Sequence, residues 1–370
     1  MVAEKISSPR SHHKSNKAIM SAALLGQVPI FVGIPMAVLG LLATVSPSAA
    51  NALQKIFQIW RALAHAFLST ESRGMKSVKN APDPDLLINH KTEKVNIIFV
   101  RHCESTWNEI FNRGPIVERL LMMPFRIFRA LINETLQTPS GGSIFLDSPL
   151  SMEGTAQARS LLAIVEGKEK AEKKSDDADK SLRILRGIEG KSILISSNLQ
   201  RALETMAIGF WGRLQRTGER IHILSDLQET SANVDTMSLS KPKGLPPLLS
   251  LGAALDYPQF EADKRFEMSE NKGQKAMFEP GVNRISRFAS WCFDSKEAAG
   301  NTVIVSGHSL YFKTFFQMYL GRGVDHIAKK KKIVNAGAVA FTLEKGAVDG
   351  KVMYRIDPSS ISVVTGGFSK

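Results

Sequence analysis

Three short runs of β-branched and aliphatic residues, VNIIFV (95–100), SILISS (192–197) and TVIVSG (302–307), constrain the fold most. Each has the length of a buried strand, and each passes into polar residues followed by a helical pattern. Strands that alternate with helices specify an α/β layer fold with a mostly parallel sheet, because a parallel connection needs a crossover and that crossover is usually a helix. Two more runs near the C-terminus, AVAFTLE (338–344) and KVMYRID (351–357), are expected strands joined by a Lys-Gly-Ala-Val-Asp-Gly turn.

The chain has 370 residues, 43% of them hydrophobic, enough for one large core or two modest ones. Its formal net charge is +13, and residues 1–80 hold nine Lys or Arg against two acids. No basic-aromatic module accompanies that charge, so a nucleic-acid partner is not expected. An anionic membrane surface or a phosphorylated substrate accounts for the balance more simply. Cys103 and Cys292 are the only cysteines, too few and too far apart for a disulfide framework or a Cys-x-x-Cys metal site.

After a basic start (Lys5, Arg10, Lys14, Lys17), no charged residue or His occurs from Ala18 to Gln54. Within that stretch AALLGQVPIFVGIPMAVLGLLATV (22–45) is long enough to cross a bilayer, giving an expected N-terminal hydrophobic helix and a membrane contact through residues about 20–45. The competing reading is a cleaved targeting peptide, with SPSAANA as the cleavage region. IFQIWRALAHAFL (56–68) reads as an amphipathic helix that could lie along the interface. Expected divisions are 1–80 for the N-terminal region, 81–94 for a Pro-containing linker, and 95–370 for a catalytic domain with insertions at 114–143 and 236–280.

In the first insertion, VERLLMMPFRIFRALI places Arg119, Arg126 and Arg129 within about 80° on a helical wheel, with a bend expected at Pro124. It reads as an ordinary surface helix, a cap over a site, or a second membrane contact. The mixed-charge run 166–183 reads as a solvated extension. Lys329 to Lys332 form a charge run, either a solvated turn or the neighbour of an anionic ligand.

The stretch FVRHCESTWNE (99–109) presents three chemistries. A cysteine phosphatase loop would need arginine six residues after Cys103, where Glu109 stands instead and would repel a phosphate dianion. A serine hydrolase elbow at VIVSGHSLY (303–311) lacks its final glycine, with Tyr311 in that place, and only His326 follows Ser309. The third chemistry uses His102. Arg101 and His102 follow the first strand, Arg201 the second, and His308 the third, with Glu229 in SDLQET between them. Ligands of parallel α/β sheets bind at the carboxyl ends of strands, so these residues can converge into a clamp for a phosphoryl group.

At these residues the chain resembles the histidine phosphatase superfamily, in its phosphoglycerate-mutase-like phosphatase branch. RHCESTWN (101–108) is similar to Arg-His-Gly-Glu-Ser-x-x-Asn except for Cys103 in place of glycine. DSPLSMEGTAQA (147–158), SSNLQRALET (196–205), LQE (227–229) and VIVSGHS (303–309) resemble the family's remaining segments in the same order. The resemblance implies a three-layer α/β/α, phosphoglycerate-mutase-like fold and a phosphoric monoester hydrolase that needs no metal and no cofactor. It implies His102 as nucleophile, Glu229 as general acid and base, and Arg101, Asn108, Arg201 and protonated His308 around the phosphate. The substrate class stays open among phosphorylated small molecules, lipids and proteins.

Two alternatives remain beside that reading. A mutase resembles the chain at the histidine motif, but Glu229 is followed by TSANVDTMSLSKPKG rather than the Arg-His-Tyr-Gly usual in mutases. A membrane-tethered pseudoenzyme would bind phosphate without turnover, and its expected signature, loss of His102 or Glu229, is not found. Cys103 reads as a tolerated substitution or as a side chain that narrows the pocket.

Overall fold

The computed structural model describes residues 36–74, 81–169, 176–248, 251 and 261–369. Its contacts divide the chain into two compact units, Met1–Gln58 with Thr138–Gly141, and Ile59–Gln137 with Gly142–Lys370. In the first, residues 36–43 are helical and a second helix, α1 (Pro47–Leu68), begins, continuing into the other unit. There Asn51 donates to the Pro139 carbonyl (2.7 Å) and Lys55 to the Thr138 hydroxyl (2.9 Å).

Among the described residues no helix is long and apolar enough to cross a membrane. Residues 22–35 of the expected spanning segment lie outside the described residues, and the helix over 36–43 ends before Val45. Of the N-terminal hydrophobic helix expected across 22–45, the described part is helical over residues 36–43. Pro47, unable to donate into a preceding turn, starts α1 afresh.

The second unit is built on an eight-stranded sheet. Its strands are β1 (Glu93–Arg101), β2 (Ser192–Ser196), β3 (Ile221–Ile223), β4 (Phe266–Glu267), β5 (Thr302–Gly307), β6 (Ala338–Val348), β7 (Lys351–Ile356) and β8 (Ser362–Thr365). They run in the order β4-β3-β2-β5-β1-β6-β7, with β8 also paired to β6. The first five in that order are mutually parallel, while β6, β7 and β8 add antiparallel pairings at one edge.

Alternation along the strands separates two cores. Ile97 and Phe99 of β1, Ile195 of β2 and Val305 of β5 pack with Ile285 and Phe288 of one helix (Gly281–Asp294) and Phe312 and Phe315 of another (Ser309–Tyr319). Ile98 and Val100, Leu194 and Ile304 point the other way, onto Leu161 (in Met152–Val165), Leu185 (in Asp176–Arg186) and Leu203 (in Gln200–Gly209). A sheet buried on both faces by helices makes three layers, and it explains why its strands read as unbroken apolar runs.

Two details refine the expected elements. Strand β6 runs on to Val348, so the hairpin turn shrinks to Asp349-Gly350, both at positive φ (49° and 73°). That pair suits a two-residue hairpin, because both turn positions need φ above zero. The expected linker is structured where it is described. Pro84–Leu87 forms a 3-10 turn, Leu87 is buried, and Asp85 pairs with Arg355 at 3.0 Å.

Candidate active site

Strands β2, β5 and β1 are neighbours and parallel, so their carboxyl ends share one rim. Register pairs Arg101 with Gly307 and Ser196 with Ser306. His102 and His308, the next residues along β1 and β5, thus come together, with ring centroids 5.1 Å apart. The glycine before His308 is needed for close packing, since a Cβ on Gly307 would press on the Phe312 ring at 2.8 Å.

The segment 147–158 frames this rim and supplies packing more than chemistry. Ser105 bridges to Leu150, the Thr106 amide donates to the Pro149 carbonyl (2.9 Å), and Ser151 caps its helix by accepting from Gly154. A side chain on Gly154 would collide with the Glu104 carbonyl. Asp147, itself at positive φ, accepts from the Gln200 amide at 2.7 Å and so fixes the start of the helix that carries Arg201.

A cavity of about 690 Å³ opens at the rim, within the usual range for a small-molecule site. Arg101, His102, Asn108, Arg201 and Glu229 all line it. His308 is fully buried and stands beside the His102 ring rather than among the lining residues.

His102 Nδ1 lies 2.6 Å from the Cys103 carbonyl oxygen. That oxygen can only accept, so Nδ1 carries the hydrogen and Nε2 keeps its lone pair in the neutral ring. Burial, then Arg201 and Arg101, hold the His102 pKa well below 6.5, which keeps the ring neutral at neutral pH. His308 Nε2 meets the Ser197 hydroxyl at 2.9 Å, and its Nδ1 is buried without a partner. Burial and Arg201 also push the His308 pKa well below 6.5, which favours the neutral ring.

Glu229 is held by backbone. One carboxylate oxygen accepts from the amides of Thr230 (2.9 Å) and Tyr311 (2.8 Å), the other from Leu310 (3.3 Å). The last two belong to the first turn of Ser309–Tyr319, a helix end that favours a negative group. Burial nevertheless wins and raises the Glu229 pKa, as a proton donor requires. Arg101 donates to the Ile333 carbonyl at 2.6 Å while its buried Nε has no partner. Its pKa, drawn down to about 10 by burial, still leaves it cationic. Arg201 donates to the Asp235 carbonyl at 2.8 Å and lies 3.4 Å from that residue's carboxylate.

Cys103 faces the core, not the cavity. It is fully buried among Ile98, Val100, Leu203 and Met206, and burial pushes its thiol up to about 12. Neither a reactive thiolate nor a narrowed pocket follows, and the side chain is a packing substitution.

Several residues escaped the sequence reading. Asp235 and Trp107 line the cavity; Lys332 does too, the one member of the 329–332 charge run to do so. In that run Lys329 instead donates to the carbonyls of Gly321 (3.0 Å) and Val324 (3.1 Å), and Lys330 pairs with Asp325. Behind Glu229, Lys275 donates to the Glu229 carbonyl (2.9 Å) and the Ser231 carbonyl (2.6 Å). Arg284 holds Glu71 with two contacts, at 2.5 and 3.2 Å. Among the described residues no group of three or more His, Cys, Asp or Glu is arranged to hold a metal ion.

No family model matches the chain, and no curated protein does. Solved structures that it resembles include phosphatases and a phosphoglycerate mutase. A mycobacterial glucosyl-3-phosphoglycerate phosphatase with vanadate is 14% identical, covering 71% of this chain and 97% of its own, at a TM-score of 0.34. A phosphoglycerate mutase from Bacillus anthracis is 17% identical over 74% of this chain and 94% of its own, at 0.35. A phosphoserine phosphatase mutant from Entamoeba histolytica, with phosphoserine, is 14% identical over 70% and 94%, at 0.31. Overlays this loose carry no argument about activity, which rests on the geometry of the cavity.

Proposed function

We propose that the chain is a phosphatase that hydrolyses phosphate monoesters through a phosphohistidine on His102. The observation that carries this reading is the 2.6 Å contact from His102 Nδ1 to the Cys103 carbonyl, which leaves Nε2 with its lone pair in a cavity lined by two arginines. In the first step Nε2 attacks phosphorus, the N–P bond forms and the P–O ester bond breaks. Protonated Glu229 gives its proton to the departing oxygen. In the second, water attacks phosphorus, Glu229 takes the water's proton, and the N–P bond breaks to release phosphate. Arg101 and Arg201 offset the charge that spreads over the phosphoryl oxygens, and Asn108 adds a neutral donor. A dianion entering beside His308 opposes the arginines that suppress its protonation and raises that ring's affinity for a proton.

The directions of the two shifts set the pH dependence. The nucleophile must be neutral, so the acid limb belongs to His102 and lies below 6.5. The acid must hold its proton, so the alkaline limb belongs to Glu229 and lies above 4.5. Glu229→Gln should flatten the alkaline limb.

The test is turnover of p-nitrophenyl phosphate by the purified full chain in excess EDTA. Hydrolysis that His102→Ala cuts to below about one-thousandth is the expected result. No turnover by the intact chain would leave the phosphate-binding pseudoenzyme, while phosphoryl transfer to a second substrate in preference to water would mark a mutase.

A further inference from the structure

The helix Ile116–Gln137 is turned the wrong way round for a helix on a water-facing surface. Its inward side carries Arg126, which donates to the carbonyls of Glu109 (3.1 Å) and Arg113 (3.0 Å), with Ala130 and Ile127 packed on Ile110 and Ile144. Its outward side carries Val117 (72% exposed), Leu121 (72%), Phe125 (76%) and Phe128 (65%), with Leu131 and Leu136 also exposed. At 100° per residue these six fall within an arc of roughly 140°, and the helix is about 33 Å long at 1.5 Å per residue. A run of exposed apolar side chains on this scale marks an interaction surface.

We infer that this helix lies flat in the headgroup region of an anionic lipid bilayer, its outward face sunk into the acyl boundary. Three observations favour lipid over a protein partner. The outward arc is apolar apart from Thr135, with Glu118 at its edge, whereas non-obligate protein interfaces mix polar and apolar groups about evenly. Arg129, two-thirds exposed and in contact with Glu109 at 3.0 Å, borders the arc where headgroup phosphates would lie, on a chain whose net charge is +13. And the uncharged stretch Ala18–Gln54 runs into α1, whose half within the same unit as Ile116–Gln137 exposes Trp60, Phe67 and Leu68. Tryptophan beside aliphatic residues is the composition found where protein meets a membrane interface.

Both native cysteines are buried, so a single new one can be labelled on the full chain. Phe128→Cys carries a polarity-sensitive thiol fluorophore, and Met152→Cys, 88% exposed on another helix, is the control. The probe membrane is phosphatidylcholine vesicles with about one-third phosphatidylserine. On vesicle-bound protein the label at 128 should shift to shorter wavelength and lose access to aqueous iodide by about tenfold, while the label at 152 stays accessible. Adding Leu121→Glu and Phe125→Glu to the Phe128→Cys chain should restore iodide access, with turnover of soluble p-nitrophenyl phosphate retained as proof of folding. Full iodide access at 128 on vesicle-bound protein would overturn the proposal, since attachment would then run through the N-terminal stretch alone. Shielding of 128 before vesicles are added would overturn it too, the face being covered by residues of the same chain or by a second copy.

Discussion

Two buried arginine–carboxylate pairs lie beside Glu229, and they differ in how completely each is closed. Arg284 grips Glu71 with both terminal nitrogens and adds the carbonyls of Gln228 and Glu229 at 3.3 Å. Neither partner lines the cavity. Arg201 meets the Asp235 carboxylate through one contact at 3.4 Å, and both residues line the cavity next to His102. Exposure does not separate the pairs, since side-chain values are 2% and 1% for the first, 3% and 9% for the second. What separates them is geometry: a bidentate pair shut off from the cavity holds structure, while a long single contact at its wall leaves an arginine able to take a phosphoryl oxygen. Opposite responses to the same substitution would sharpen that contrast, and matching responses would break it.

The largest effect is expected at the closed pair. Arg284→Met removes the bidentate partner of buried Glu71, leaving it only Lys275 at 4.0 Å, and should lower unfolding stability by about 3 kcal/mol, read by chemical denaturation. Converting the partner as well, with Glu71→Leu, should recover most of that loss. Arg201→Met should instead cut kcat/KM by roughly 100- to 1,000-fold. Its stability cost should be smaller, because burial has already raised the Asp235 pKa and the carboxyl can take up a proton. A variant at 284 that folds normally but is inactive would reverse the assignment.

A smaller change is expected from Asp235→Asn. The substitution removes a negative charge from beside Arg201, so inhibition by product phosphate should strengthen by about tenfold. Weaker phosphate inhibition would mean that Asp235 positions Arg201 rather than competing for it. The smallest effect belongs to Cys103→Ala, which should cost roughly 1 kcal/mol of stability through lost packing and leave kcat nearly unchanged.

How much of this was legible in the sequence follows from distance along the chain. Strands and the residues at their ends are local signals, so β1, β2 and β5 could be read, and with them Arg101, His102, Arg201 and His308. Glu71 could not be read, because it sits in a polar stretch resembling a linker and its partner is 213 residues away. Asp235 looked like one loop acid among many, since nothing in its neighbourhood shows that the fold sets it against Arg201. The helix at 116–137 showed its amphipathic pattern, but periodicity does not say which face turns inward, and here the apolar arc faces out. The complete burial of His308 against the His102 ring could not be read either, because it is a property of the folded rim alone.

The most direct measurement is the site of covalent phosphate. The full chain is mixed with a radiolabelled phosphate monoester, quenched in alkali within the first turnover, digested and mapped. The account predicts label on His102, stable to alkali and lost in acid, and absent in His102→Ala. Label on Cys103, or turnover by His102→Ala at the rate of the unaltered chain, would contradict it.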